Sequence, residues 1–97
     1  MKHVLFYDLA EGSMPLAQQH FPAHRARIGE FHDRGLMLLV GTWGDEPVGA
    51  MAVFTTQEAA EEFIAEDPFV VNGVVGSYRI RPWDEILMRL PNTVTNM

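Results

Sequence analysis

The stretch Leu36-Met37-Leu38-Leu39-Val40-Gly41-Thr42-Trp43, then Gly44-Asp45-Glu46-Pro47, then Val48-Gly49-Ala50-Met51-Ala52-Val53-Phe54-Thr55 decides the fold. Its two apolar runs have the length and composition of strands, and the segment between them has the turn chemistry of a hairpin loop. Strict alternation would put Leu36, Leu38 and Val40 on one face of the first run and Met37, Leu39 and Trp43 on the other. Both faces are apolar, as in a sheet covered on both sides.

Working outward, each run is flanked by a helical pattern and then by one more strand. Lys2–Leu9 alternates, with Val4 and Phe6 on one face and Leu5, Tyr7 and Leu9 on the other. Ser13 is suited to cap a helix and Pro15 to its first turn, whereas Pro22 lacks an amide and clashes with the carbonyl of Gln18. The pattern predicts a kinked or two-part helix that runs to Arg34 and stops at Gly35. Thr55 and Glu58 have the spacing of a capping box for a second helix ending near Glu66, and Val74–Pro82 reads as the last strand. The order is strand, helix, strand, strand, helix, strand: an α+β fold with an antiparallel four-stranded sheet and two helices on one face. Two helices cover one face only, so the other is expected to pack on a second copy as a homodimer.

Composition limits the function classes. With 97 residues, 47% of them hydrophobic, the chain makes a single domain, expected over residues 1–87 with a C-terminal tail at 88–97. There is no Cys, which removes disulfides and thiolate chemistry. A formal charge of −6 and seven scattered basic residues argue against nucleic acid as a partner. The apolar runs are too short to span a membrane, and Met1-Lys2-His3-Val4-Leu5 does not open a signal peptide, so a cytoplasmic protein is expected.

One acid breaks the apolar pattern. Ala60, Phe63 and Ile64 share the inner face of the second helix, and Asp67 falls on the next position of that face, followed by Pro68, which marks a boundary. A buried carboxylate without a partner costs several kcal/mol on the order of effective desolvation penalties, so Asp67 needs a partner or a task. On the first helix His24 shares its stripe with Ile28 and Phe31. A lone His on such a stripe is more often a core histidine bonded to backbone; two ionisable groups aimed inward from two helices on one sheet shift that balance. A His–Asp pair fixes the imidazole tautomer and supplies a general base near neutral pH.

The other polar residues carry weaker signals. Tyr7 and Ser77 lie on strands and could give hydroxyls to a pocket, Arg25 flanks His24 and could hold an anion, and Phe69 follows the Asp67 turn and could line the site. His20 and His24 are four apart without the Glu of the zinc-protease helix, and no other His has ligand spacing, so neither metal nor cofactor is expected.

Phe21-Pro22-Ala23-His24, the Gly35 stop, Gly41, Glu58-Ala59-Ala60-Glu61, Asp67-Pro68-Phe69-Val70 with Gly73, and Ile80-Arg81-Pro82-Trp83 resemble the YciI-like (YCII-related) family up to Trp83. The resemblance implies a ferredoxin-like βαββαβ fold of the dimeric α+β barrel type, with His24 and Asp67 as its His–Asp site. Most such proteins have no established activity, and one branch dehydrochlorinates chlorinated hydroxyhydroquinones. The expected function is therefore cofactor-independent proton transfer, as a lyase or isomerase and possibly a dehydrochlorinase, on a small cyclic or aromatic oxygenated substrate. The alternative is a non-catalytic small-molecule-binding or accessory dimer.

Overall fold

The computed structural model describes residues 1–89. Its elements are β1 (Lys2–Leu9), α1 (Met14–Asp33), β2 (Met37–Trp43), β3 (Gly49–Phe54), α2 (Gln57–Glu66), the single turn α3 (Pro68–Val71) and β4 (Val75–Trp83). The four-stranded antiparallel sheet has the order β2-β3-β1-β4, which places the first strand in the middle and β2 and β4 at the edges. This is the expected βαββαβ arrangement. The tail expected over 88–97 falls mostly outside the described residues.

The core lies between the helices and one sheet face. Leu5 and Tyr7 of β1, Phe31 of α1, Met37 of β2, Ala52 and Phe54 of β3, and Ala59, Ala60, Phe63 and Ile64 of α2 form one buried cluster. Phe31 and Phe63 meet edge to face with ring centroids 5.3 Å apart, and Phe54 closes the group at 5.6 Å from Phe63. Edge-on contact sets the electropositive rim of one ring against the face of the next. Arg27 of α1 donates to the carbonyls of Phe63 and Glu62 at 3.1 and 2.7 Å, which clamps α1 to α2.

Three local expectations are corrected. Pro22 does not divide α1, which runs as one helix of 20 residues. The carbonyl deprived of a partner belongs to Gln18, an exposed position where water can serve it. Ser13 makes no side-chain cap; the chain enters α1 through a turn with Gly12 at φ 72°. The capping box at Thr55 and Glu58 is displaced by one residue, because Thr56 is the N-cap and its hydroxyl accepts from the amide of Ala59 at 3.0 Å. Thr56→Ala should cost about 1 kcal/mol of stability, read as a lower urea midpoint with an unchanged slope.

The end of α1 follows its sequence signal. Gly35, at φ 74°, donates to His32, and Leu36 donates to Phe31, the paired bonds of a Schellman motif. A further correction comes just beyond. β2 is bulged between Met37 and Leu39, so the alternation read from the sequence changes sides there. Met37 is buried under the helices opposite Phe54, Val40 faces the same way opposite Ala52, and Leu39 stands opposite Val53 on the other face. That outer face leaves Leu39 68% exposed, with Trp43 and Met51 also exposed. Among the described residues no helix is long and apolar enough to cross a membrane.

Candidate functional site

Asp67 sits at the joint of two helices. It is the C-cap of α2 and the N-cap of α3, held extended at φ −66° and ψ 122° by the proline that follows. Its side chain is 0% exposed and is met by three donors. The Tyr7 hydroxyl donates to Oδ2 at 2.6 Å, while His24 Nδ1 lies 2.6 Å and the Phe69 amide 3.2 Å from Oδ1. With Asp67 as a carboxylate, which only accepts, the shared proton sits on Nδ1 of His24, and Nε2 has no hydrogen-bond partner among the described residues. The interior charge is compensated by hydrogen bonds from three different elements.

His24 is fixed on its other sides as well. Its ring stacks on Phe69 with centroids 3.7 Å apart and planes 5° from parallel, and the edge of Phe63 stands at 6.3 Å. The side chain remains 12% exposed, and the opening leads into a cavity of about 340 Å³ between α1, the sheet and the β2–β3 loop. Tyr7, Gln18, Phe21, His24, Val40, Thr42 and Phe69 are among its lining residues. Such a space holds a single-ring molecule against mostly apolar walls.

Of the residues singled out from the sequence, Tyr7, His24, Asp67 and Phe69 come together, although Tyr7 spends its hydroxyl on Asp67. Burial above all, then the neighbouring Asp67 charge and the hydrogen bond to it, push the Tyr7 phenol well above its ordinary range. Arg25 and Ser77 lie elsewhere. Arg25 is one residue, or about 100°, round the helix from His24, and its guanidinium lies over Gly29 in an adjoining groove that meets the cavity at Ile28 and Val40. Ser77 is paired with Asp8, so it projects from the outer face and donates to the Asp8 carboxylate at 3.3 Å. Two polar lining residues, Gln18 and Thr42, escaped the sequence reading. Gln18 is six residues before His24 and about 120° round α1 from it, with Phe21 between them, so helical spacing from His24 does not find it; Thr42 could be placed only by knowing the β2 bulge. Among the described residues no three His, Asp or Glu side chains gather as metal ligands would.

Tyr7→Phe should remove one of the three donors to a buried carboxylate and cost about 1.5–3 kcal/mol. Because the folded state holds a phenolic proton that the unfolded chain releases near pH 10, the Tyr7 contribution is complete below about pH 10 and is lost as pH rises beyond it. The stability gap between wild type and Tyr7→Phe should therefore narrow in alkaline urea titrations. A gap that widens would show that the hydroxyl is not the proton holder.

The YCII-related domain pattern matches residues 1–84, through the end of β4. The chain belongs to the YCII-related family. No curated protein sequence matches it significantly. Among solved structures, this YCII-related chain is similar to 5-chloro-2-hydroxyhydroquinone dehydrochlorinase (TftG) from Burkholderia phenoliruptrix AC1100 in complex with 2,5-dihydroxybenzoquinone. That match has a TM-score of 0.73 at 16% identity over 87% of this chain and 94% of the other. It is also similar to protein SO0527 from Shewanella oneidensis, with a TM-score of 0.52 at 19% identity over 82% and 84% of the two chains. At these identities the likeness carries the fold.

Proposed function

We propose that this YCII-related protein is a cofactor-independent acid/base enzyme, a lyase or isomerase, in which His24 moves a proton on a small cyclic or aromatic oxygenated substrate. The observation that carries the reading is the free Nε2 of an imidazole whose other nitrogen is bound to a fully buried carboxylate, at the end of an apolar cavity. Asp67 is an unsuitable base, because its oxygens already accept three hydrogen bonds and none of its surface is exposed. Its role is to hold the tautomer and to stabilise the imidazolium formed when Nε2 accepts a proton, and Tyr7 holds Asp67. In a dehydrochlorination, Nε2 would take a proton from the substrate, the electron pair would form the new π bond, and chloride would leave from the neighbouring carbon. The dehydrochlorinase among the structural neighbours makes this elimination the first to assay.

The working form is a homodimer built on the outer sheet face. The experiment is incubation with chlorinated hydroxyhydroquinones and small lactones without added metal, flavin or nicotinamide, following chloride release and product absorbance. Turnover that disappears in His24→Asn supports the enzyme. Binding that depends on His24 but yields no product for any substrate replaces it with a small-molecule-binding module.

A further inference from the structure

Resting on the reading that His24 is the working base, we infer that its cavity selects an uncharged oxygenated ring and discriminates against carboxylates, phosphates and ionised hydroxyquinones, with the Thr42 hydroxyl as the polar contact on the sheet wall. The lining carries the argument. Among the described residues, no Lys, Arg, Asp or Glu side chain lines this cavity. Its polar side chains are Tyr7, Gln18, His24 and Thr42, and the first has already given its hydroxyl to Asp67.

Neither nearby arginine is placed to anchor an anion. Arg25 opens onto the other groove, and the Arg27 guanidinium is held by the carbonyls of Phe63 and Glu62 while lying 4.8 Å from the Phe31 ring centroid. An entering anion would instead lie close to the Asp67 carboxylate, in a chain of formal charge −6. An imidazolium at His24 would be neutralised by that same carboxylate. A charged group would therefore lose its water without gaining a countercharge, whereas an uncharged ring loses little and buries its faces against Phe69, Phe21 and Val40.

Thr42 is the polar exception on the sheet wall. It pairs with Ala50, which pairs in turn with Tyr7, so all three belong to the helix-side face of the sheet. Gln18 and Phe21 approach from α1, on the side of the cavity that carries His24. A ring oxygen turned toward β2 would meet the Thr42 hydroxyl, which can donate to a carbonyl or accept from a phenol.

The test is calorimetric titration at pH 7 with hydroquinone, 2,5-dihydroxybenzoate, its methyl ester and 2,5-dihydroxybenzoquinone, a vinylogous acid that is ionised at that pH. Hydroquinone and the ester should bind at least about tenfold more tightly than the benzoate and the quinone, a difference of about 1.4 kcal/mol. Thr42→Val should weaken hydroquinone about fivefold and leave toluene unchanged, and Thr42→Lys should recruit the benzoate. Equal or tighter binding of either anion overturns the charge selection, as does failure of hydroquinone and the ester to bind up to about 5 mM. Unchanged hydroquinone affinity in Thr42→Val removes Thr42 from the site. The proton-transfer reading fails separately: neutral rings that bind as expected while His24→Asn keeps full turnover would sink His24 as base and leave the charge selection standing.

Discussion

His24→Asn and Asp67→Asn are each expected to lower turnover by about a hundredfold or more while the protein stays folded, the usual scale for a lost general base. The two losses have different causes. His24→Asn removes the titratable nitrogen that would take the proton. Asp67→Asn leaves the imidazole in place, but the amide NH2 it introduces can turn toward Nδ1, favouring the tautomer that puts the proton on Nε2 and blocks the base. The single changes should therefore not add: the double variant should be about as slow as either alone, because the residues act as one unit.

Stability separates the same variants. Asp67 is fully buried and serves three donors, so Asp67→Asn must satisfy them with one carbonyl oxygen and a donor amide. Its cost should be about 1–3 kcal/mol, the scale of a buried polar group left short of a partner. His24→Asn, at the cavity wall, loses the stack on Phe69 and should cost less. Full wild-type rates in both variants, measured by chloride release on a substrate that the wild type converts, would falsify the proposed chemistry.

The sequence was most informative where one residue carried a constraint that its surroundings could not relax. Asp67-Pro68 forces an extended residue after a helix and places the carboxylate on the helix's apolar side, and both features are found. Gly35 stops α1 with the bonds its type favours. The hairpin from Leu36 to Thr55 fixed the element order because neither apolar run has helical spacing. The failures share a physical origin in tertiary context. A bulge has no residue signature of its own, and one extra residue at Leu38 reversed the faces assigned to the start of β2. Pro22 is a helix breaker by residue type, and the exposure of Gln18, which spares the helix, is a property of the assembled protein. The alternation of β1 gave the face of Tyr7, but its hydroxyl partner is 60 residues away.

The second large effect concerns assembly. Leu39, Trp43 and Met51 crowd one half of the outer face, on β2 and β3, and are 68%, 41% and 38% exposed. The other half differs: Arg79 and Arg81 of β4 stand opposite Phe6 and Val4, and Arg79 lies over the Phe6 ring. A twofold axis through β4 would bring these arginines against their own copies, whereas an axis near β2 and β3 buries the apolar half and leaves the basic strand toward the rim. Wild-type protein at micromolar concentration should thus sediment at about twice 10.9 kDa. Leu39→Asp with Met51→Asp should yield monomer, since burying carboxylates at the centre of the interface costs several kcal/mol on the order of the dimer's own affinity. Arg81→Glu, at the rim, should alter the salt dependence of association and leave the dimer intact. Sedimentation of the wild type as a single 10.9 kDa species would end the dimer proposal, and monomerisation by Arg81→Glu but not by the apolar pair would move the interface to β4.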